Sequence, residues 1–248
     1  MDGKQVHRPT AAILIIGNEI LCGSCPETNS ALLLRLLREA GVRTRRLVVL
    51  PDELEPIAEE LRRAAEEHDH VFTSGGIGPT HDDRTLEAVA RAFDLQLVEH
   101  PRLKELFAAR FGPGLSEAQL KMVRLPAGCE LLEGGRTFHP LLRCRNVFIL
   151  PGIPQLFEDK LGQVRKLVTG RPPAHRCLVL HWPETRLAPY LDEVVAAHPE
   201  VEIGSYPILA GEASRVEVTF EAADDEEVEA AVASLCRALP PEAGAQRG

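Results

Sequence analysis

The stretch Thr73–Asp83, TSGGIGPTHDD, sets Gly75, Gly76, Gly78 and Pro79 beside two adjacent aspartates, Asp82 and Asp83. Glycines leave backbone N–H groups uncovered, and a helix beginning just after such a turn adds its own free N–H groups, so the pair makes an anion cradle. The chemistry this pattern suits is phosphate binding, with Asp82 and Asp83 holding a divalent cation against the phosphate. Neither common nucleotide loop is present: no Lys-Ser or Lys-Thr follows, and Gly76-Ile-Gly78 lacks the third glycine of a dinucleotide fingerprint. The plainer alternative is that one aspartate caps the next helix while Pro79 shapes the turn.

A second polar loop, IGNEILCGSCPETN, follows the first apolar run and carries Glu19, Glu27, Thr28 and Asn29. Thr28 and Asn29 read as N-caps of the leucine-rich helix after them, and Glu19 reads as a carboxylate brought to the anion cradle by topology. The same loop holds Cys22-Gly23-Ser24-Cys25, a C-x-x-C between a strand and a helix, which is the setting of a dithiol redox site. A third loop, NVFILPGIP, ends a buried strand at Pro151-Gly152, so that the N–H groups of Gly152 and Ile153 either meet a ligand or merely connect strand to helix.

These loops need a scaffold, and the pattern supplies one. AAILIIG, VRTRRLVVL and DHVFTS read as strands alternating with the helical ETNSALLLRLLREAG, DELEPIAEELRRAAEEH and DDRTLEAVARAF. Such alternation predicts an α/β fold, a parallel sheet covered on both faces, with ligands beyond the carboxyl ends of its strands. Residues 101–170 are mixed: helical RLKELFAARF and SEAQLKMV, strands TFHPLLRC and NVFILPG, then helical QLFEDKLGQVRKLV. TGRPPAHR marks a boundary near Gly170. Beyond it comes β-α-β-β-α, a small α+β domain over 171–240, then a tail, 241–248, expected to fray. Within that domain, Ser205 and Tyr206 either reach the cleft or only end a strand.

With 28 Lys and Arg against 37 Asp and Glu, the net charge is −9, which repels nucleic-acid backbones and anionic lipid surfaces. At 248 residues and 44% hydrophobic, the chain can bury its own core. It has no apolar run long enough to span a bilayer and no signal or transit pattern. A cytoplasmic protein without nucleic-acid or membrane partners is expected, and six scattered cysteines fit a reducing compartment.

IGNEILCG…ETN, TSGGIGPTHDDRT, RNVFILPGIPQLFEDKL and EIGSYP stand in the order found in a known family. From about Ala11 to Leu239 the chain resembles the molybdopterin-binding-like domain of eukaryotic FAD synthases and the bacterial competence/damage-inducible proteins. The resemblance implies a three-layer α/β/α molybdopterin-binding-like domain followed by a small C-terminal α+β domain. It also implies metal-dependent hydrolysis of a nucleotide pyrophosphate, FAD to FMN and AMP, or ADP-ribose. Magnesium, manganese or cobalt would be the metal and a nucleotide or pterin, FAD or molybdopterin, the small-molecule partner; self-association stays open. Asp83, Asp82 and Glu19 match the catalytic and metal positions, and Gly75, Gly76, Gly78, Thr80, Thr85, Asn29, Gly152 and Ile153 the ligand positions.

Two positions depart from the family pattern. Asn18 stands where Gly-Asp-Glu is usual, and Glu27 where Asp-Thr-Asn is usual, which weakens hard-cation coordination if those positions touch the metal. A non-catalytic module that binds a pterin or nucleotide is the alternative, and a dithiol redox protein a more distant one. The Gly-Gly-Lys-Asp loop of the FAD-synthesising domain is not matched, since Gly134-Gly135 is followed by Arg136.

Overall fold

The computed structural model describes residues 8–210 and 213–247. The chain folds as two compact units that part between Gly170 and Arg171.

In the first unit the elements run β1 (Thr10–Ile16), α1 (Asn18–Leu21), α2 (Asn29–Glu39), β2 (Arg43–Leu50), α3 (Leu54–Glu67), β3 (His70–Ser74), α4 (Thr85–Ala92), β4 (Leu97–Glu99), α5 (Pro101–Phe111), α6 (Glu117–Val123), β5 (Arg124–Pro126), β6 (Glu130–Leu132), β7 (Leu141–Cys144), β8 (Val147–Leu150) and α7 (Pro154–Leu167). Six strands form one sheet in the order β2-β1-β3-β8-β7-β6. The first four are parallel, and β7 and β6 extend the sheet antiparallel.

β1 shows why this is a three-layer fold. Its side chains alternate between faces: Ala12, Leu14 and Ile16 pack with Ile57, Leu61, Val89 and Phe107 of α3, α4 and α5. Ala11, Ile13 and Ile15 pack with Leu33, Leu37, Phe157 and Val164 of α2 and α7. All six of these β1 residues are at most 3% exposed. Burying both faces needs a continuous apolar run, which is what TAAILII provides. β2, at the sheet edge, leaves Leu47 and Val49 exposed, so the expectation that every strand is apolar on both covered faces fails there.

The second unit holds β9 (Ala174–Leu180), α8 (Glu184–Ala197), β10 (Glu202–Ala210), β11 (Ala213–Ala222) and α9 (Asp225–Ala238). Leu187 and Val194 of α8 and Val228, Ala231, Val232 and Leu235 of α9 pack with Leu178, Leu180, Val216, Val218 and Phe220 of its antiparallel sheet. Ser205 donates to Glu184 inside this unit, and Tyr206 is exposed.

Two expectations are corrected, and one pair of strands was not foreseen. The end of the chain does not simply fray: a 3₁₀ turn at Pro241–Ala243 buries Ala243, and β12 (Gln246–Arg247) pairs with β9; Gly248 lies outside the described residues. Of TFHPLLRC only Leu141–Cys144 is a strand, because Thr137 and His139 bond instead to the Asp159–Lys160 pair. The short β4–β5 ribbon had no sequence signal, at three residues per strand.

Candidate active site

Because β1, β2, β3 and β8 are parallel, their carboxyl ends meet at one edge, and the loop after each opens into the same place. A cavity of about 920 Å³ lies there, with Gly17 and Glu19 after β1, Asp52 after β2, Gly75–Thr80 after β3 and Pro151–Ile153 after β8 among its walls. This is the crevice that parallel α/β topology creates.

The glycine loop is held in a shape that only glycine permits. Gly75 and Gly76 have φ of +105° and +66°, and a Cβ on them would lie 2.2 Å from the Ile16 carbonyl oxygen and 2.3 Å from Thr85 Oγ1. Thr85 pins the loop from beneath: its hydroxyl donates to the Gly75 carbonyl at 2.7 Å and its N–H to the Gly76 carbonyl at 2.9 Å. It is fully buried and outside the cavity wall, so its expected contact with a ligand is corrected to support of the loop. Gly152 backs onto Gly75, leaving 3.2 Å between a Cβ there and the Gly75 Cα.

Asp83 folds the second half of the loop. Its Oδ1 accepts the Gly78 N–H at 2.7 Å, and its Oδ2 accepts the Thr80 N–H at 2.8 Å and the Thr80 hydroxyl. α4 begins only at Thr85 and has no side-chain cap, so neither aspartate caps it. Asp83 caps the loop instead. Asp82 and Glu19 both line the cavity, and Asp82 is over half exposed at its mouth.

Two polar residues departing from the family pattern have structural partners. Glu27 accepts the Ser30 N–H at 2.9 Å and the Ser30 hydroxyl, capping α2 in place of Thr28, whose side chain makes no capping bond. Asn18 and Asp52 bond to each other across the β1 and β2 loops: Asn18 N–H donates to Asp52 Oδ2 at 2.7 Å, and Asp52 N–H to Asn18 Oδ1 at 3.4 Å. Burial, and then the charges of Glu19, Asp82 and Asp83, push the Asp52 carboxyl above its ordinary pKa, although the Asn18 N–H pulls the other way. Asp52 had no motif around it and was missed; only its place after a parallel strand could have signalled it.

Asn29 joins two loops. Its Nδ2 donates to Ser74 Oγ at 2.9 Å and to the Gly152 carbonyl at 2.8 Å, while its buried Oδ1 has no partner among the described residues. Across the cavity, Lys160 is 2% exposed and donates to the His139 carbonyl at 2.7 Å, to Asp159 at 2.9 Å and to Thr137 Oγ1. Burial drives the His139 imidazole down to about 4.

The wall is mainly apolar, and its charged residues are acidic in balance. Five carboxylates, those of Glu19, Glu27, Asp52, Asp82 and Asp83, face it against one ammonium, Lys160, already paired with Asp159. No three of the His, Cys, Asp and Glu side chains among the described residues are gathered tightly enough to enclose a metal ion on their own.

The family model described as "Probable molybdopterin binding domain" matches residues 12–166. The chain belongs to this family. A second model, "FAD synthase, middle domain", matches residues 172–246. An Archaeoglobus fulgidus protein is 33% identical to this molybdopterin-binding-domain chain over 220 residues, 89% of this chain and 93% of its own length. A Caenorhabditis elegans protein named probable FAD synthase is 32% identical over 94% of this chain but only 50% of its own length, so the chain spans half of that relative. Among solved structures, the CinA protein of unknown function from Thermoplasma acidophilum superimposes with a TM-score of 0.61 at 33% identity, covering 64% of this chain and 98% of the other. Among the described residues no helix is long and apolar enough to cross a membrane.

Proposed function

We propose that the first unit hydrolyses a nucleotide pyrophosphate, FAD or ADP-ribose, with the help of a divalent cation. One observation carries the reading: a rigid glycine loop at the carboxyl ends of the parallel strands opens into a cavity lined by five acidic residues and a single, already paired ammonium. A pyrophosphate anion cannot approach that wall alone at neutral pH; it needs a cation between. The name of the worm relative, probable FAD synthase, points to the same substrate class.

The donor set fits such a cation with water completing the shell. Glu19, Asp52 and Asp82 would supply hard oxygens, and the Asp52 carboxyl is pushed up by burial first and by the charges of Glu19, Asp82 and Asp83 after it. When bound, the cation would neutralise the pyrophosphate and supply Lewis acidity. The chain's own residues do the rest. The Gly75 N–H donates to the Leu150 carbonyl at 3.2 Å and the Gly78 N–H to Asp83, so the Gly76 N–H is the glycine donor left to meet the phosphates, and Asp83 and Thr85 keep the loop rigid. Thr80, Gly152 and Ile153 line the cavity beside them. Asn29 Oδ1 offers an acceptor that a ribose hydroxyl or ring N–H satisfies. Glu19, whose carboxylate has no hydrogen bond among the described residues, orients the attacking water.

A second reading, a module that binds pterin or nucleotide without cutting it, draws on the same geometry: Glu27 and Asp83 are engaged in shaping the backbone and Asn18 contributes no charge. Calorimetric titration of ADP-ribose and FAD in magnesium, and again in chelator, tests the shared element. Binding that requires the cation supports both readings; equal binding in chelator removes the cation-assisted hydrolysis and leaves the binding module, and no binding with magnesium, manganese or cobalt removes both. Product release then separates enzyme from binder.

A further inference from the structure

We propose that Cys22 and Cys25, the second of them in the cavity wall, form a redox-active dithiol, which exchanges with low-molecular-weight disulfides and closes into an intramolecular disulfide. Neither thiol has a part in the hydrolysis proposed above. Both are free and exposed, whereas Cys129 and Cys144 are buried.

The local backbone brings the pair together. The Glu19 carbonyl oxygen accepts the Ser24 N–H at 3.0 Å, the Cys25 N–H at 3.1 Å, the Ser24 hydroxyl at 3.2 Å and the Cys22 thiol at 3.6 Å. Residues 19–25 therefore coil around a single atom, with the Cys22 sulfur and the Cys25 backbone both held against it. Gly23, at φ +73° with nothing near its Cα hydrogens, makes the reversal and leaves room for adjustment. A disulfide requires Cα atoms about 4.4–6.8 Å apart, and closure would draw residues 22 and 25 to that span.

The exchange proceeds in two displacements. The Cys22 thiolate attacks one sulfur of RSSR; that S–S bond breaks, RS⁻ leaves and takes up a proton, and a mixed disulfide remains on Cys22. The Cys25 thiolate then attacks the Cys22 sulfur and expels the second RS⁻. The dithiol loses two electrons, and RSSR becomes two RSH.

Closure also acts on the cavity. Glu19, Ile20, Cys25, Pro26 and Glu27 all belong to its wall, so a bond from residue 22 to residue 25 staples the segment that carries them.

The test uses the full chain, oxidised glutathione and no nucleotide, so it is independent of the hydrolysis. Intact mass should fall by two hydrogens, peptide mapping should join residues 22 and 25, and excess reduced glutathione should reverse both. Cys25→Ser should stop at one glutathione on Cys22, and Cys22→Ser should form no intramolecular bond. Amide exchange across 19–29 should slow in the oxidised form. Thiols at 22 and 25 that remain alkylatable, a stable glutathione on each, or bonds only between chains would overturn the dithiol. Unchanged amide exchange after closure would overturn its action on the wall.

Discussion

Asn18 and Asp52 trade hydrogen bonds across two loops, 2.7 Å from the Asn18 N–H to Asp52 Oδ2 and 3.4 Å from the Asp52 N–H to Asn18 Oδ1. The pair ties the end of β1 to the end of β2 and fixes where Asp52 faces the cavity. An aspartate at position 18, the commoner residue in the family pattern, could accept the same N–H while adding a charge. Asn18→Asp should therefore make the apo protein slightly less stable, by about 0.5–1 kcal/mol of like-charge repulsion, and enlarge the rise in Tm that magnesium gives over chelator. Thermal melts of both proteins in the two buffers check this; an unchanged magnesium effect would place residue 18 away from any cation.

Asp83 should behave as a loop-shaping residue. Asp83→Ala leaves the N–H groups of Gly78 and Thr80 without their acceptor, at about 1–3 kcal/mol, and should abolish turnover. Asp83→Asn keeps one carbonyl acceptor and should lose less stability. Chemical denaturation of the three proteins orders them; equal stability of Asp83→Ala and the parent would mean that the loop does not depend on these bonds.

Gly76→Ala forces a Cβ to 2.3 Å from Thr85 Oγ1 at a φ of +66°. Strain and displacement of Thr85 should cost about 2–4 kcal/mol. Thr85→Ser, which keeps the hydroxyl, should be much milder. Urea midpoints for the two variants decide the matter.

Much of this was legible before the structure. The strand-helix alternation gave the parallel sheet because each covered strand is a continuous apolar run, as in TAAILII, and the glycine loop announced its turn because glycine adopts positive φ at least cost and leaves room where a Cβ would clash. The roles within the loop were less visible. Asp83 and Thr85 look like ligand residues in sequence, yet a carboxylate that binds cations and one that accepts backbone N–H groups are the same residue type, and only three-dimensional partners separate them. Asp52 follows an ordinary edge strand without a motif, and Lys160 sits in a helix whose polar residues, buried Gln163 and exposed Glu158 alike, do not mark it out in the sequence. Their importance comes from strand order, which sequence spacing does not encode.

His139 gives the protein a pH dependence of known sign. Its folded pKa, about 4, lies below the ordinary 6.5, so the unfolded chain binds the proton more readily. The stability it contributes is complete above pH 6.5 and is lost as pH falls toward 4, at most about 3 kcal/mol. Denaturation at pH 7 and pH 4.5 should show the loss, and His139→Gln should flatten it; an identical slope in the variant would contradict the assignment.

Lys160 and Asp159 form a buried pair, 2% and 6% exposed. Lys160→Met leaves Asp159 with the Arg136 and Thr137 donors alone and should cost up to about 3 kcal/mol, while adding Asp159→Asn should recover part of that. A double-mutant cycle in urea measures the coupling.

The most direct measurement incubates the chain with FAD and with ADP-ribose in magnesium, manganese or cobalt and follows mononucleotide release by chromatography, with chelator and Glu19→Gln as controls. Hydrolysis should require the cation, fall at least a hundredfold in Glu19→Gln and leave that variant's melting unchanged. Release of mononucleotide that persists undiminished in chelator, or in Glu19→Gln, would contradict cation-assisted hydrolysis at this cavity, and absence of release with every cation would leave a site that binds and does not cut.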